Sequence, residues 1–198
     1  MTTATADGRH RRSQESRQRI IDAILELVTE GVLEPTAEQV SDRAGLAMRT
    51  VFRHFKDMDS LYREISRRMY ARVQAVFEDG IEADTWQATL HNFIDRRARV
   101  YEELMPIRVS ADAMRHRSAF LQKDHRRFID LARDVLRRVL PDEVAKHKVC
   151  FEALDALFSF EMWIRLRRDQ QLSAAAARRL VHHGADALLA AADNGNSN

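Results

Sequence analysis

Apolar residues recur along this chain at intervals of three and four, the period of a helix with one buried face. Ile20, Ile21, Ile24, Leu25 and Val28 predict a helix over 14–30, stopped by Gly31. Thr36-x-x-Gln39 has the form of a capping box and opens a short second helix, with Val40 and Ala44 facing inward. A third short helix runs from about Met48 to His54. In and beside it, Leu46, Val51 and Phe55 fall on one side, and Met48, Arg49, Thr50, Arg53 and His54 on the other. Asp57 suits the N-cap of a fourth helix, whose stripe of Leu61, Ile65, Met69, Val73, Val76 and Phe77 continues to about Asp79. Three short helices cannot cover a stripe of that length, so its far half is expected to pack on the rest of the chain.

Later helices are expected at roughly 84–104, 106–115, 118–139, 142–169 and 173–192, with Pro106 and Pro141 at helix starts, where a missing N–H is tolerated. The 198 residues include only 6 glycines and 3 prolines, too few turn formers for a strand-and-turn architecture, while 45% hydrophobic residues suffice for a sizeable core. The expected fold class is all-α with about nine helices: an N-terminal three-helix module over 13–56 and a larger helical domain over 57–192. Residues 1–12 are expected as a disordered basic arm and 193–198 as a disordered tail.

Charge changes the picture only locally. The 32 basic and 30 acidic side chains leave a net +2, without the excess of a protein that coats nucleic acid by charge alone. One cluster stands out: Arg9, Arg11, Arg12, Arg17 and Arg19 are opposed by Glu15 alone, and are candidates for phosphate or minor-groove contacts. Cys150 is the single cysteine, which excludes an intramolecular disulfide and a cysteine-based zinc cage and reads as a small core residue. No stretch approaches a membrane span and the first residues lack an apolar signal core, so a cytoplasmic location is expected. The chain has no Gly-rich phosphate loop, no Gly-x-Ser-x-Gly and no His-Glu-x-x-His. His182 and His183 point about 100° apart on a helix and cannot jointly grip a metal. Neither catalysis nor a cofactor is expected.

The second and third helices meet at Ala44-Gly45. A tight corner between two short helices is the outline of a helix-turn-helix, which carries its second helix into the major groove of DNA. The cap at Thr36, this corner, the run Thr50-Val51-Phe52-Arg53-His54-Phe55 and Leu61 together resemble the DNA-binding signature of the TetR family of bacterial transcriptional regulators. The end of the chain resembles that family too, in Phe160-Glu-Met-Trp-Ile-Arg-Leu-Arg followed by a polar break and an alanine-rich last helix.

The resemblance implies roles for individual residues. Met48, Arg49 and Thr50 are expected to reach base edges or the adjacent backbone, with Arg49 the leading base reader through a bidentate pair with guanine. Thr36, Thr50, Arg53 and His54 are expected at phosphates, helped by Arg11 and Arg12 of the arm, and Met48 can touch a thymine methyl. Three positions depart from the family pattern. Phe52 replaces the usual tyrosine, Met58 the usual lysine, and Ala47 the common serine or threonine cap, so phosphate contacts are lost. Phe52 remains a candidate on the DNA-facing side. For Phe52 and His54 the alternative is packing against the fourth helix.

The resemblance further implies a homodimer on palindromic, double-stranded operator DNA, with 13–56 as the DNA-binding domain and 57–192 as the effector-binding and dimerisation domain. Dimer-interface candidates are Leu154, Leu157, Glu161, Leu180, Gly184 and Leu188. Glycine inside a helix costs ~1 kcal/mol relative to alanine, so Gly184 points to a close helix approach. Effector-pocket candidates are Met69, Trp86, Phe93, Tyr101, Met105, Phe128, Phe151, Phe158 and Met162, although each taken singly reads more plainly as core. Among Arg96, Arg97, Arg99, Arg108, Arg115 and Arg117, one or two turned inward would suit an anionic ligand. The implied function is a regulator, most simply a repressor, released from DNA by a small-molecule effector. The rival reading is a helical protein-interaction adaptor with a degenerate DNA-binding module.

Overall fold

A computed structural model describes residues 3–55, 58–78 and 80–195, with side chains described in all of these except 3–10, 58, 75–78 and 193–195. The expected cap at Asp57 and the side chains of Arg9, Met58, Val76 and Phe77 therefore lie outside the described residues. The chain is all-α. Its helices are α1 (Thr3–Thr29), α2 (Ala37–Ala44), α3 (Met48–His54), α4 (Met58–Glu78) and α5 (Trp86–Met114), then α6 (Ala119–Val139), α7 (Asp142–Lys146), α8 (Lys148–Leu157), α9 (Phe160–Ile164) and α10 (Ala174–Gly195). A 3₁₀ turn at Arg115–Arg117 joins α5 to α6, and a π-helical turn at Arg165–Asp169 extends α9. No strand occurs among the described residues.

Three elements differ from the pattern-based expectation. First, α1 begins at Thr3 and runs through most of the stretch expected as a disordered arm. The alanines and arginines there are strong helix formers, and Gly8 alone does not stop the helix. Second, Pro106 does not start a helix but sits inside the continuous α5. A proline removes one main-chain hydrogen bond, a loss a 29-residue helix can bear when well-packed turns flank it on both sides. Third, the helix expected over 142–169 is cut into shorter pieces. His147 Nδ1 accepts from the Cys150 amide at 3.2 Å, and Ser159 Oγ accepts from the Met162 amide at 3.1 Å. Each side chain caps a new helix start where the apolar period alone would carry one helix through.

The residues group into two compact units, Met1–Ala71 with Pro106–Asp124, and Arg72–Met105 with His125–Asn198. This division does not fall at 56/57. In the first unit, Leu61 and Ile65 of α4 join a core that holds Ile20, Ile21, Ile24, Leu27 and Val28 of α1, Val40 and Ala44 of α2, Val51 of α3, and Phe55. Ile20 and Ile21 are wholly buried, each stabilising the fold by roughly 1.5–3 kcal/mol.

The second unit is centred on aromatic packing. Phe93 meets Phe158 edge to face at 6.1 Å between ring centres, and Tyr101 meets Phe160 at 5.1 Å. Arg97 is buried among them. It donates from Nε to the Tyr101 hydroxyl at 2.8 Å, which in turn donates to the Phe158 carbonyl at 3.1 Å. The guanidinium also lies 5.2 Å from the Phe93 ring centre, where the ring quadrupole favours a cation.

Candidate nucleic-acid interface

The first unit builds its exposed face from the Thr36 cap onward. The Thr36 hydroxyl accepts from the Gln39 amide at 3.2 Å, and the Thr36 amide donates to Gln39 Oε1 at 2.9 Å. This is the expected capping box. It uses the Thr36 oxygen as an acceptor and leaves the exposed hydroxyl proton available to an anion. At the other end of α2, Gly45 has φ 61° and ψ 41°, the left-handed region that a residue with a side chain enters at a cost. The Gly45 amide donates to Asp42 O at 3.1 Å and the Leu46 amide to Ser41 O at 3.0 Å, which closes α2 and starts the corner.

Two side chains hold the corner: Ser41, which the sequence did not single out, and Arg19, which it read as a DNA-contacting candidate. Buried Ser41 donates from Oγ to the Leu46 carbonyl at 2.8 Å. Arg19, reaching across from α1, donates from Nη2 to Ala44 O at 2.5 Å and to Gly45 O at 3.2 Å. Arg17 pairs with Glu64 at 3.1 Å and lies 5.2 Å from the Phe55 ring centre. Two members of the basic cluster thus serve the module's own packing. Among the described residues Arg11 makes an exposed contact of 3.6 Å with Glu15, of the kind worth ~0.3–0.5 kcal/mol.

On α3, Val51 points into the core, Phe55 follows it in, and Leu46 packs half-buried against the same cluster. The opposite face is open: Phe52 is 58% exposed, Met48 43%, and Arg49 and Arg53 stand exposed beside them. Neither arginine has a carboxylate partner among the described residues. By contrast, Arg43 pairs with Glu30 at 2.6 Å, Arg67 with Glu64 at 2.7 Å, and Arg68 with Asp22 at 3.1 Å. Among the described residues, the acidic side chains of this unit therefore leave Arg49 and Arg53 without an ion pair.

Phe52 and His54, each open to two readings in sequence, separate here. Phe52 projects outward, more than half exposed. His54 turns inward: its Nε2 is buried and finds no hydrogen-bond partner among the described residues. Burial, together with the positive charges of Arg53 and Arg17, holds the imidazole below its ordinary pKa and so neutral at pH 7. That nitrogen is not presented to a phosphate.

No protein-family model matches the sequence, and no curated protein does either. Solved structures do match. A protein from Mesorhizobium loti assigned to the TetR family of transcriptional regulators superposes with a TM-score of 0.67 at 20% identity, covering 91% of this chain and 98% of its own. A transcriptional regulator from Pseudomonas aeruginosa gives 0.68 at 16% identity, covering 88% and 90%. A transcriptional regulator from a Rhodococcus species gives 0.62 at 15% identity, covering 90% and 96%.

The chain has a TetR-type fold.

Within this TetR-type fold the effector-pocket candidates pack chiefly as core. Phe93, Tyr101, Phe128, Phe151 and Phe158 are buried against neighbouring side chains, while Trp86, Met105 and Met162 are half-buried. Tyr101 and Phe158 line a cavity of about 20 Å³. A larger one, about 60 Å³, lies in the first unit, where Met69 joins Ile24, Leu61, Tyr62 and Arg108 in its lining. Arg108 is only 3% exposed, so Arg97 and Arg108 are the inward-turned arginines of the group considered.

The dimer candidates also separate. Leu154 is wholly buried within its own unit and offers a partner no surface, whereas Glu161 and Leu180 are exposed and Leu157 and Leu188 half-buried. The close approach at Gly184 is to Leu157 of the same chain, whose Cδ2 would lie 3.0 Å from an added Cβ. His182, read in sequence as no ligand, accepts or donates at 2.7 Å with Asp95 and so ties α10 to α5. Among the described residues no group of three or more His, Cys, Asp or Glu could hold a metal ion, and no helix is long and apolar enough to cross a membrane.

Proposed function

We propose that this chain is a DNA-binding transcriptional regulator of the TetR type, acting as a repressor that binds a palindromic operator as a homodimer and leaves it when a small-molecule effector binds. The observation that carries the DNA reading is the pair of exposed arginines, Arg49 and Arg53, on the outer face of the helix that follows the Gly45 corner, without carboxylate partners among the described residues. Arg49 reads guanine and Arg53 neutralises a phosphate. Thr36, with its free hydroxyl proton, adds a phosphate contact at the start of α2.

A recognition helix of seven residues reaches only a few base pairs. Affinity then requires two such helices in successive major grooves ~34–36 Å apart, which a two-fold dimer supplies. Glu161 and Leu180 are the exposed members of the candidate dimer surface. The effector part of the reading draws support from the cavity beside Met69 and Arg108, whose α4 residues Leu61 and Ile65 also pack against the helix-turn-helix core. At about 60 Å³ it is far below the ~300–1,000 Å³ of a drug-sized site, so the effector is small or the cavity widens to admit it. Effector and operator must then weaken each other by the same factor.

Electrophoretic mobility shift with the DNA flanking the chain's own coding region, followed by footprinting, tests this reading. A protected palindrome is the expected result. Absence of any sequence-selective retardation at low salt would remove the DNA reading.

A further inference from the structure

We propose that Met48 and Phe52 form an apolar ridge that reads thymine methyl groups, making the operator half-site selective for thymines at two positions no more than two base steps apart. The inference rests on the DNA-binding reading above and adds to it which base chemistry is recognised.

Met48 and Phe52 are four residues apart on α3 and so stand one above the other on the same face. Both are large, and both are exposed, at 43% and 58%. By contrast, Val51 and Phe55 of the same segment are buried in the core. A contiguous exposed apolar pair on a two-turn helix marks a contact surface.

The chemistry beside the ridge names the occupant. Arg49 and Arg53 repeat the same four-residue spacing immediately alongside, exposed and without carboxylate partners among the described residues. An apolar stripe flanked by a cationic stripe fits a polyanion that offers an apolar group between its charges. In the major groove of duplex DNA that group is the thymine C5-methyl. A protein partner with an acidic rim would meet the cations but would need no methyl at a fixed place. The side chains at this spacing lie ~5–6 Å apart, against ~3.4 Å per base step, so both contacts fall within two steps. Phe52 lacks a hydroxyl to offer a phosphate, and its ring edge presents only apolar surface to a base.

The test starts from a random-sequence duplex pool enriched on the full-length protein, with the enriched duplex resynthesised carrying deoxyuridine for thymidine one position at a time. Deoxyuridine keeps the pairing and loses only the methyl. Fluorescence anisotropy should show about a fourfold loss of affinity at each of two half-site positions and none at other thymines. Those two penalties should vanish in the Met48→Ala/Phe52→Ala double variant and persist in Phe52→Leu, which keeps apolar bulk. Both substitutions are on an exposed face, and circular dichroism checks that folding is retained. Equal affinity for every deoxyuridine duplex overturns the inference while leaving the DNA reading intact, as does an unchanged penalty in the double variant. Failure to enrich any duplex overturns both.

Discussion

Arg19 donates a hydrogen bond to the main-chain carbonyl of Ala44 at 2.5 Å, so a side chain of the first helix closes the corner between α2 and α3. A charged donor on a carbonyl that ends a helix is stronger than a neutral one, because it also answers the negative end of the helix dipole. Arg19→Ala should therefore cost about 1–2 kcal/mol, seen as a lower urea midpoint without a change in slope. An unchanged midpoint would show that the contact is incidental.

Gly45→Ala should destabilise the same corner for two reasons. The left-handed backbone costs a residue with a Cβ ~1–2 kcal/mol, and the added Cβ would lie 2.9 Å from Arg19 Nη2, forcing that guanidinium off its carbonyls. The double variant Arg19→Ala/Gly45→Ala should then be less destabilised than the sum of the singles, because the arginine contact can be lost only once. Strict additivity in denaturation would refute the coupling.

Arg49 and Arg53 should differ in what they remove from DNA binding. Arg49→Ala should cost about 1–3 kcal/mol on the preferred duplex and relax selectivity at one base pair. Arg53→Ala should weaken all sequences alike and lower the salt slope by about one unit. Titrations of both variants at several salt concentrations, on specific and scrambled duplexes, separate the two. If Arg49→Ala lowers every duplex equally, it is a backbone contact.

His54 makes stability depend on pH. Its folded pKa is depressed by burial and by Arg53 and Arg17, while the unfolded chain titrates near 6.5. Above that pH both states are neutral and nothing is contributed. As pH falls through about 6.5 the unfolded state takes up a proton that the folded state refuses, so stability declines until the folded pKa is passed. Melting temperatures from pH 7.5 to 5.5 should fall more steeply for the natural chain than for His54→Gln. Parallel slopes would mean the imidazole protonates freely in the folded protein.

Gly184→Ala should be nearly neutral. A helical alanine gains about 1 kcal/mol over glycine, against the tenths of an ångström by which half-buried Leu157 must yield. Gly184→Phe should cost about 1–3 kcal/mol by forcing α8 and α10 apart. Calorimetry showing no loss for the phenylalanine variant would contradict the packing described.

The sequence alone determined the parts of the molecule that local rules govern. The Thr36–Gln39 capping box, the Gly45 corner and the inward Val51 and Phe55 are each set within a few residues, so a short stretch of chain suffices to specify them. The all-α class follows from the same periodicity summed over many turns. The tertiary structure decided which charges are spent and which remain free. Arg17 and Arg19 looked like members of a DNA-contacting cluster, but carbonyls and a carboxylate 25 to 47 residues away engage them. Arg49 and Arg53 look no different in sequence, yet among the described residues no carboxylate is placed to meet them. Likewise, helical spacing marked Phe93, Tyr101 and Phe158 as inward but could not tell a lined pocket from packed core. Periodicity records which face of a helix is buried, whereas the identity of what lies across from it depends on contacts between residues far apart in the chain.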